Sequence, residues 1–263
     1  IRKCKAATSN PFGVNLPLLY PNIEEHMEII REEGVNIVFT SAGNPATWTG
    51  KLKEQGITVV HVIANTKFAQ KAADSGVDAI VAEGFEAGGH NGREETTTLC
   101  LIPMIRDCVN IPLIAAGGIG NGRTMLAAFA LGAEGVQIGS RFVASEESSA
   151  HIDFKNAVIQ AKEGDTRLSL KQPTPVRLLK NKFALEIAAA EERGAGPEEL
   201  KSLLGRARAK KGMFEGDMDE GELEIGQISS SIRSILPAAT IVNEIWNEFT
   251  KEKERICQLD LNS

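Results

Sequence analysis

The sequence predicts a parallel α/β fold, a (β/α)8 TIM barrel followed by a region of short helices. Short β-branched runs alternate with amphipathic helical stretches over the first part of the chain. The runs are mainly apolar rather than alternating, the pattern of strands buried on both faces. They begin about 20 to 23 residues apart, with one longer interval after Ala82, which suits βαβ units and parallel strands.

Six runs are expected as strands: Phe12 to Leu16, Val35 to Thr40, Thr58 to Ile63, Ala79 to Ala82, Pro112 to Ala116 and Gly135 to Ile138. Between them, Ile23 to Glu33 reads as a helix with Asn22 at its N-cap and Gly34 behind it. Thr66 to Ser75 ends in the same way at Gly76, and Arg123 to Leu131 at Gly132. A (β/α)8 barrel needs eight units, and Ile1 opens in what reads as the tail of a helix. Two leading βα units are therefore expected to be absent from this sequence. An open six-stranded sheet is the alternative.

The expected domains are a barrel over 1–147, a small helical lid over 148–222, and C-terminal helices over 223–263 that pack back on the barrel. In the second, Pro175 to Arg193 and Pro197 to Lys211 read as helices. In the third, Pro237 to Cys257 carries Ile241, Ile245, Trp246 and Phe249 at helical spacing, a core stripe.

A chain of 263 residues can bury a sizeable core. Its net charge of -6 argues against a generic nucleic-acid partner. No apolar run suits a membrane span and no signal peptide opens the chain, so a cytoplasmic location is expected. Cys4, Cys100, Cys108 and Cys257 show no CxxC pair or nearby histidine spacing, which argues against zinc and more strongly against a disulfide framework. No metal is expected.

In parallel α/β folds ligands collect at the carboxyl ends of strands. The fifth run leads into AAGGIGNG, Ala115 to Gly122, and the sixth into QIGSRF, Gln137 to Phe142. Glycine turns at helix starts free backbone N–H groups for an anion, so a cofactor phosphate is expected there. Tight-turn geometry alone also explains such glycines. After the fourth run, Glu83 is placed to accept hydrogen bonds from a planar heterocycle, and Gly88 and Gly89 allow close backbone approach. His90 follows, able to exchange a proton near neutral pH, or else an idle loop histidine. Asn15 is either a turn residue or a ring ligand.

PFGVN, AEGFEAGGHNG, IPLIAAGGIGNG, GVQIGSRF and GDMDEGELEIGQI, in this order along the chain, resemble the signature blocks of the FMN-dependent enoyl-[acyl-carrier-protein] reductase II and nitronate monooxygenase family. The resemblance implies a flavin TIM barrel with a helical lid, usually a homodimer. It implies FMN contacts at Asn15, Glu83, Gly88, Gly118, Gln137, Ile138, Gly139 and Ser140, with neighbouring Gly89 and Gly117 in the same turns, and His90 as the active-site histidine. Members open with a strand and a glycine–methionine loop that touch the flavin, which this sequence lacks.

The oxygenase branch shows glutamine where this chain has Glu83, so the resemblance leans to the reductase. That branch uses NADH or NADPH to reduce trans-2-enoyl-acyl carrier protein, the last step of bacterial fatty-acid elongation. The alternative is oxidation of alkyl nitronates with O2. Acyl carrier protein is acidic, and Arg206, Arg208, Lys210 and Lys211 form the densest basic stretch to receive it, or a merely solvated helix face.

Overall fold

The computed structural model describes residues 1–172 and 174–259. A parallel sheet is built from β1 (Val14–Pro17), β2 (Ile37–Ser41), β3 (Thr58–Ile63), β4 (Ala79–Glu83), β6 (Leu113–Ala116) and β7 (Gly135–Gln137). Their order in the sheet is their order in the chain. A second, antiparallel sheet holds β5 (Gly89–His90), β8 (Thr166–Ser169) and β9 (Val176–Leu179), in the order β5-β9-β8.

The parallel strands are apolar on both faces because both are covered. Val38, Val59, Ile80, Ala82, Leu113 and Ala115 pack outward on Leu101, Ile102 and Ile105 of the helix Thr98–Cys108 and on the other surrounding helices. Val60, Ala79, Val81 and Ala116 pack with Phe39, Val62 and Ile114 on the inner face. Burying a side chain of this size stabilises by about 1.5–3 kcal/mol.

Local chemistry sets the helix limits. Asn65 accepts from the Phe68 N–H at 2.8 Å to start Thr66–Asp74, and Gly76 follows at φ +79°. Asn121 and Thr124 close a reciprocal capping box on Gly122–Ala130, and Gly132 follows at φ +104°. Asn22 precedes Ile23–Glu32 as expected, but it sits at φ 59° and its side chain caps nothing.

Three expectations are corrected. The start of the predicted helix Pro175 to Arg193 is strand β9, and only Lys182–Glu192 is helical. The predicted helix Pro197 to Lys211 breaks at Gly205, φ +64°, into Pro197–Leu204 and Arg208–Met213. In the last helix, Ala238–Cys257, Ile241 and Ile245 are buried, whereas Trp246 is 57% exposed and stacks on Phe249 at 5.4 Å. That helix crosses Gly122–Ala130 where a Gly122 Cβ would stand 2.1 Å from the Phe249 nitrogen. Residues 260–263 of the expected C-terminal region lie outside the described residues. No described helix is long and apolar enough to cross a membrane.

Candidate active site

The carboxyl ends of β4, β6 and β7 open on a cavity of about 210 Å3. Glu83 is paired with Ala116, and Ala116 with Gln137, so three neighbouring strands present one register line to it. The Glu83 carboxyl accepts no hydrogen bond among the described residues, and burial pushes it up to about 7. Gly117 and Gly118 sit at φ +88° and +68°, where side chains are strained. A Cβ on Gly117 would stand 2.6 Å from the Gly84 carbonyl oxygen. Gly139 is different: a Cβ there would meet nothing within 4 Å.

The N–H groups of Gly118, Ile119 and Gly139 donate to nothing among the described residues. The helix start at Gly122, in contrast, is already occupied. Its Gly122 N–H donates to Glu248 Oε2 at 2.7 Å and its Thr124 N–H to Asn121 Oδ1 at 2.9 Å. The free anion cradle is thus the turn before that helix, together with the turn after β7.

The loop from Glu83 to His90 is pinned from three sides. Glu86 accepts from the Thr98 N–H and hydroxyl, both at 2.9 Å. The Phe85 carbonyl accepts from Arg177 Nη2 at 2.8 Å and Nε at 3.1 Å, while that guanidinium lies 4.4 Å over the Phe85 ring. Gln227 donates its N–H to the Glu86 carbonyl at 2.9 Å. A Cβ on Gly88 would stand 2.4 Å from the Ile225 carbonyl carbon, so this glycine lets the 225–226 backbone close over the loop. Ser140 completes the closure, its hydroxyl accepting from the Gly226 N–H at 3.0 Å.

Of the residues singled out in the sequence, Glu83, Gly88, Gly117, Gly118, Gln137, Gly139 and Ser140 share the cavity wall. Gly89 and His90 stand beside it in β5, His90 exposed. Ile138 turns away, toward Trp246 and Phe142. Asn15 pairs with Phe39 and is exposed on β1, off the cavity wall. Sequence reasoning missed Arg177, Glu86, Met213 and Glu224 as site-building residues, although Glu86 and Glu224 lay within the AEGFEAGGHNG and GDMDEGELEIGQI blocks.

The basic stretch is largely neutralised within the chain. Lys210 pairs with Glu215 at 3.0 Å, Lys211 with Asp217 at 2.9 Å, and Arg208 with Glu220 at 3.4 Å. Arg206 makes no ion pair among the described residues.

A family model described as nitronate monooxygenase matches residues 1–248. The chain belongs to this family. It is 34% identical to a probable nitronate monooxygenase of Staphylococcus aureus, over 86% of this chain and 66% of that one. It is 36% identical to a (3aS,4S,5R,7aS)-5-hydroxy-7a-methyl-1-oxo-octahydro-1H-indene-4-carboxyl-CoA dehydrogenase of Rhodococcus jostii, over 65% of this chain. It spans about half of that relative, 48%. The solved structure of FabK from Thermotoga maritima superposes with a TM-score of 0.91 at 38% identity, over 97% of this chain and 81% of that one. The likeness gives the fold class as the (β/α)8 barrel, of which the described residues carry six strands.

Nitronate monooxygenase family proteins are FMN-dependent. The cavity fits that group by its donors: unpaired N–H groups at Gly118, Ile119 and Gly139 suit a phosphate, and the unpartnered Glu83 carboxyl and Gln137 amide suit the polar edge of a flavin. Val143, Met213, Ile225 and Ile228 supply an apolar wall.

Proposed function

We propose that the protein is an FMN-dependent enoyl-[acyl-carrier-protein] reductase that draws on NADH or NADPH. The observation that carries this reading is Glu83, an unpartnered carboxyl at the cavity wall with its proton affinity raised to about 7. A glutamate here is the reductase form of the signature block; the oxygenase form has glutamine. The likeness to FabK supports the same side. So does the Rhodococcus jostii relative, whose name gives it a coenzyme A thioester to act on.

Bound FMN supplies hydride transfer, from the nicotinamide to the β-carbon of the enoyl thioester. The chain supplies placement and the proton. Gly118, Ile119 and Gly139 would hold its phosphate through their N–H groups, Glu83 and Gln137 would orient its ring, and the apolar wall would exclude water. His90, at the rim, delivers a proton from a ring nitrogen to the α-carbon, directly or through an ordered water. The saturated thioester leaves with one hydride and one proton added, and the nicotinamide leaves oxidised.

Two further parts belong to this proposal. The protein forms a homodimer, and acyl carrier protein docks on the Arg206 to Lys211 stretch. Since three of those cations are shared with acidic neighbours, Arg206→Glu is the variant that tests docking: it weakens carrier-linked turnover without changing turnover of a free thioester.

The family model and the Staphylococcus aureus relative favour a second reading, oxidation of alkyl nitronates with O2. One comparison separates the two. The proposal expects NAD(P)H oxidation that depends on a crotonyl thioester, and little oxygen uptake with propionate 3-nitronate. The reverse result overturns it.

A further inference from the structure

Strand β9 brings two ionisable residues to one of its edges. Val176 pairs with His90 and Arg177 with Gly89, both antiparallel. The next position, Leu178, bridges Glu224 in the same sense. The opposite edge of β9 is taken by β8, with Leu178 paired to Arg167. His90, Gly89 and Glu224 therefore hold three consecutive places along one edge, the outer two separated by roughly 7 Å of strand.

The Glu224 side chain turns back over the middle place. Its Oε2 lies 2.6 Å from where a Cβ on Gly89 would stand, and Gly89 is at φ +75°. A side chain at position 89 would evict the carboxylate. Glu224 also lines the cavity and accepts no hydrogen bond among the described residues. Burial pushes its carboxyl up, and the charge of His90 pulls it back down.

We propose that Glu224 is a positioning residue for His90: its carboxylate, two places along the same strand edge, holds the imidazole at the cavity rim through charge. The inference rests on the reading of His90 as the proton donor. It gives that donor a counter-charge and explains the glycine before it.

The surrounding charges leave His90 as the partner. Arg177, the cation nearest on β9, is committed to the Phe85 carbonyl. Arg208 faces Glu222, two residues away on the same segment, and Glu222 and Glu224 repel one another. Glu83 lies on the wall of the same cavity and adds a second negative charge above neutral pH.

The test follows the His90 ring resonances against pH, with FMN present, in the parent, Glu224→Gln and Glu224→Asp; the signal is assigned by its loss in His90→Gln. Glu224→Gln, which removes the facing negative charge, is expected to lower the midpoint. Glu224→Asp, shorter but still charged, lowers it by less. An unchanged midpoint in folded Glu224→Gln overturns the pairing. Should Glu224→Gln not fold, Glu224→Asp decides: a lowered midpoint supports the pairing and an unchanged one overturns it. FMN affinity, read by flavin fluorescence on the same samples, separates the two claims. Coupling without FMN binding keeps the pair and removes the functional reading; FMN binding with an uncoupled histidine does the opposite.

Discussion

Glu83 and Gln137 flank Ala116 in one register line across β4, β6 and β7, and both line the same cavity. A carboxyl and an amide held by three adjacent strands cannot drift apart without breaking ladder hydrogen bonds. The polar edge of the site is thus built into the sheet, whereas its anion cradle lies in the turns that follow.

Glu83 makes the site pH-sensitive. Its carboxyl rises from 4.5 to about 7, so the stability it contributes is fully present below pH 4.5 and is lost as pH rises through 7. Urea unfolding of the FMN-free protein should show the parent losing about 3 kcal/mol relative to Glu83→Gln over that window. A difference that does not change with pH contradicts the buried, unpartnered carboxyl.

His61 acts in the opposite sense, away from the site. It is 4% exposed, bonded through Nδ1 to the Thr40 hydroxyl at 2.7 Å, and burial lowers it from 6.5 to about 4. Its contribution is present above pH 6.5 and lost as pH falls through 4. Relative to His61→Gln, the parent should lose about 3 kcal/mol between those values. Equal acid sensitivity in parent and variant counts against this assignment.

Arg177 anchors the loop that carries His90. Arg177→Met keeps the bulk but strips the Phe85 carbonyl of two donors, and should cost about 3 kcal/mol in chemical denaturation. A loss under 1 kcal/mol would show that the loop is held mainly by Glu86 and Gln227.

Two glycines separate folding from open space. Gly88→Ala forces the 225–226 backbone away and should destabilise by about 2 kcal/mol or more, whereas Gly139→Ala, with open space around it, should stay within about 0.5 kcal/mol of the parent. Melting curves that rank them the other way would refute the packing described for these turns.

The barrel was legible because its strands are apolar on both faces and the helix between each pair usually ends in glycine, both local signals. Glu83 and the glycine turns were legible because they follow such strands directly. β9 was not: Leu178, Leu179, Phe183, Ala184 and Ile187 fit helical spacing as well, and what makes 176–179 extended is pairing with His90 and with Thr166–Ser169, distant in sequence. For the same reason the neighbourhood of His90 and Glu224 could not be read beforehand. The occupied helix start at Gly122 was also hidden, since its partner Glu248 lies 126 residues on.

FMN is proposed to occupy the cavity between Glu83 and the turns at Gly118 and Gly139. Flavin fluorescence quenching, titrated in the parent and in Gly139→Leu, tests it most directly, because the added side chain projects into open space at the cavity wall rather than into the core. The prediction is saturable binding in the parent and an affinity at least about tenfold weaker in a Gly139→Leu protein of unchanged melting temperature. Equal affinity in the two, or no binding in the parent, would contradict it.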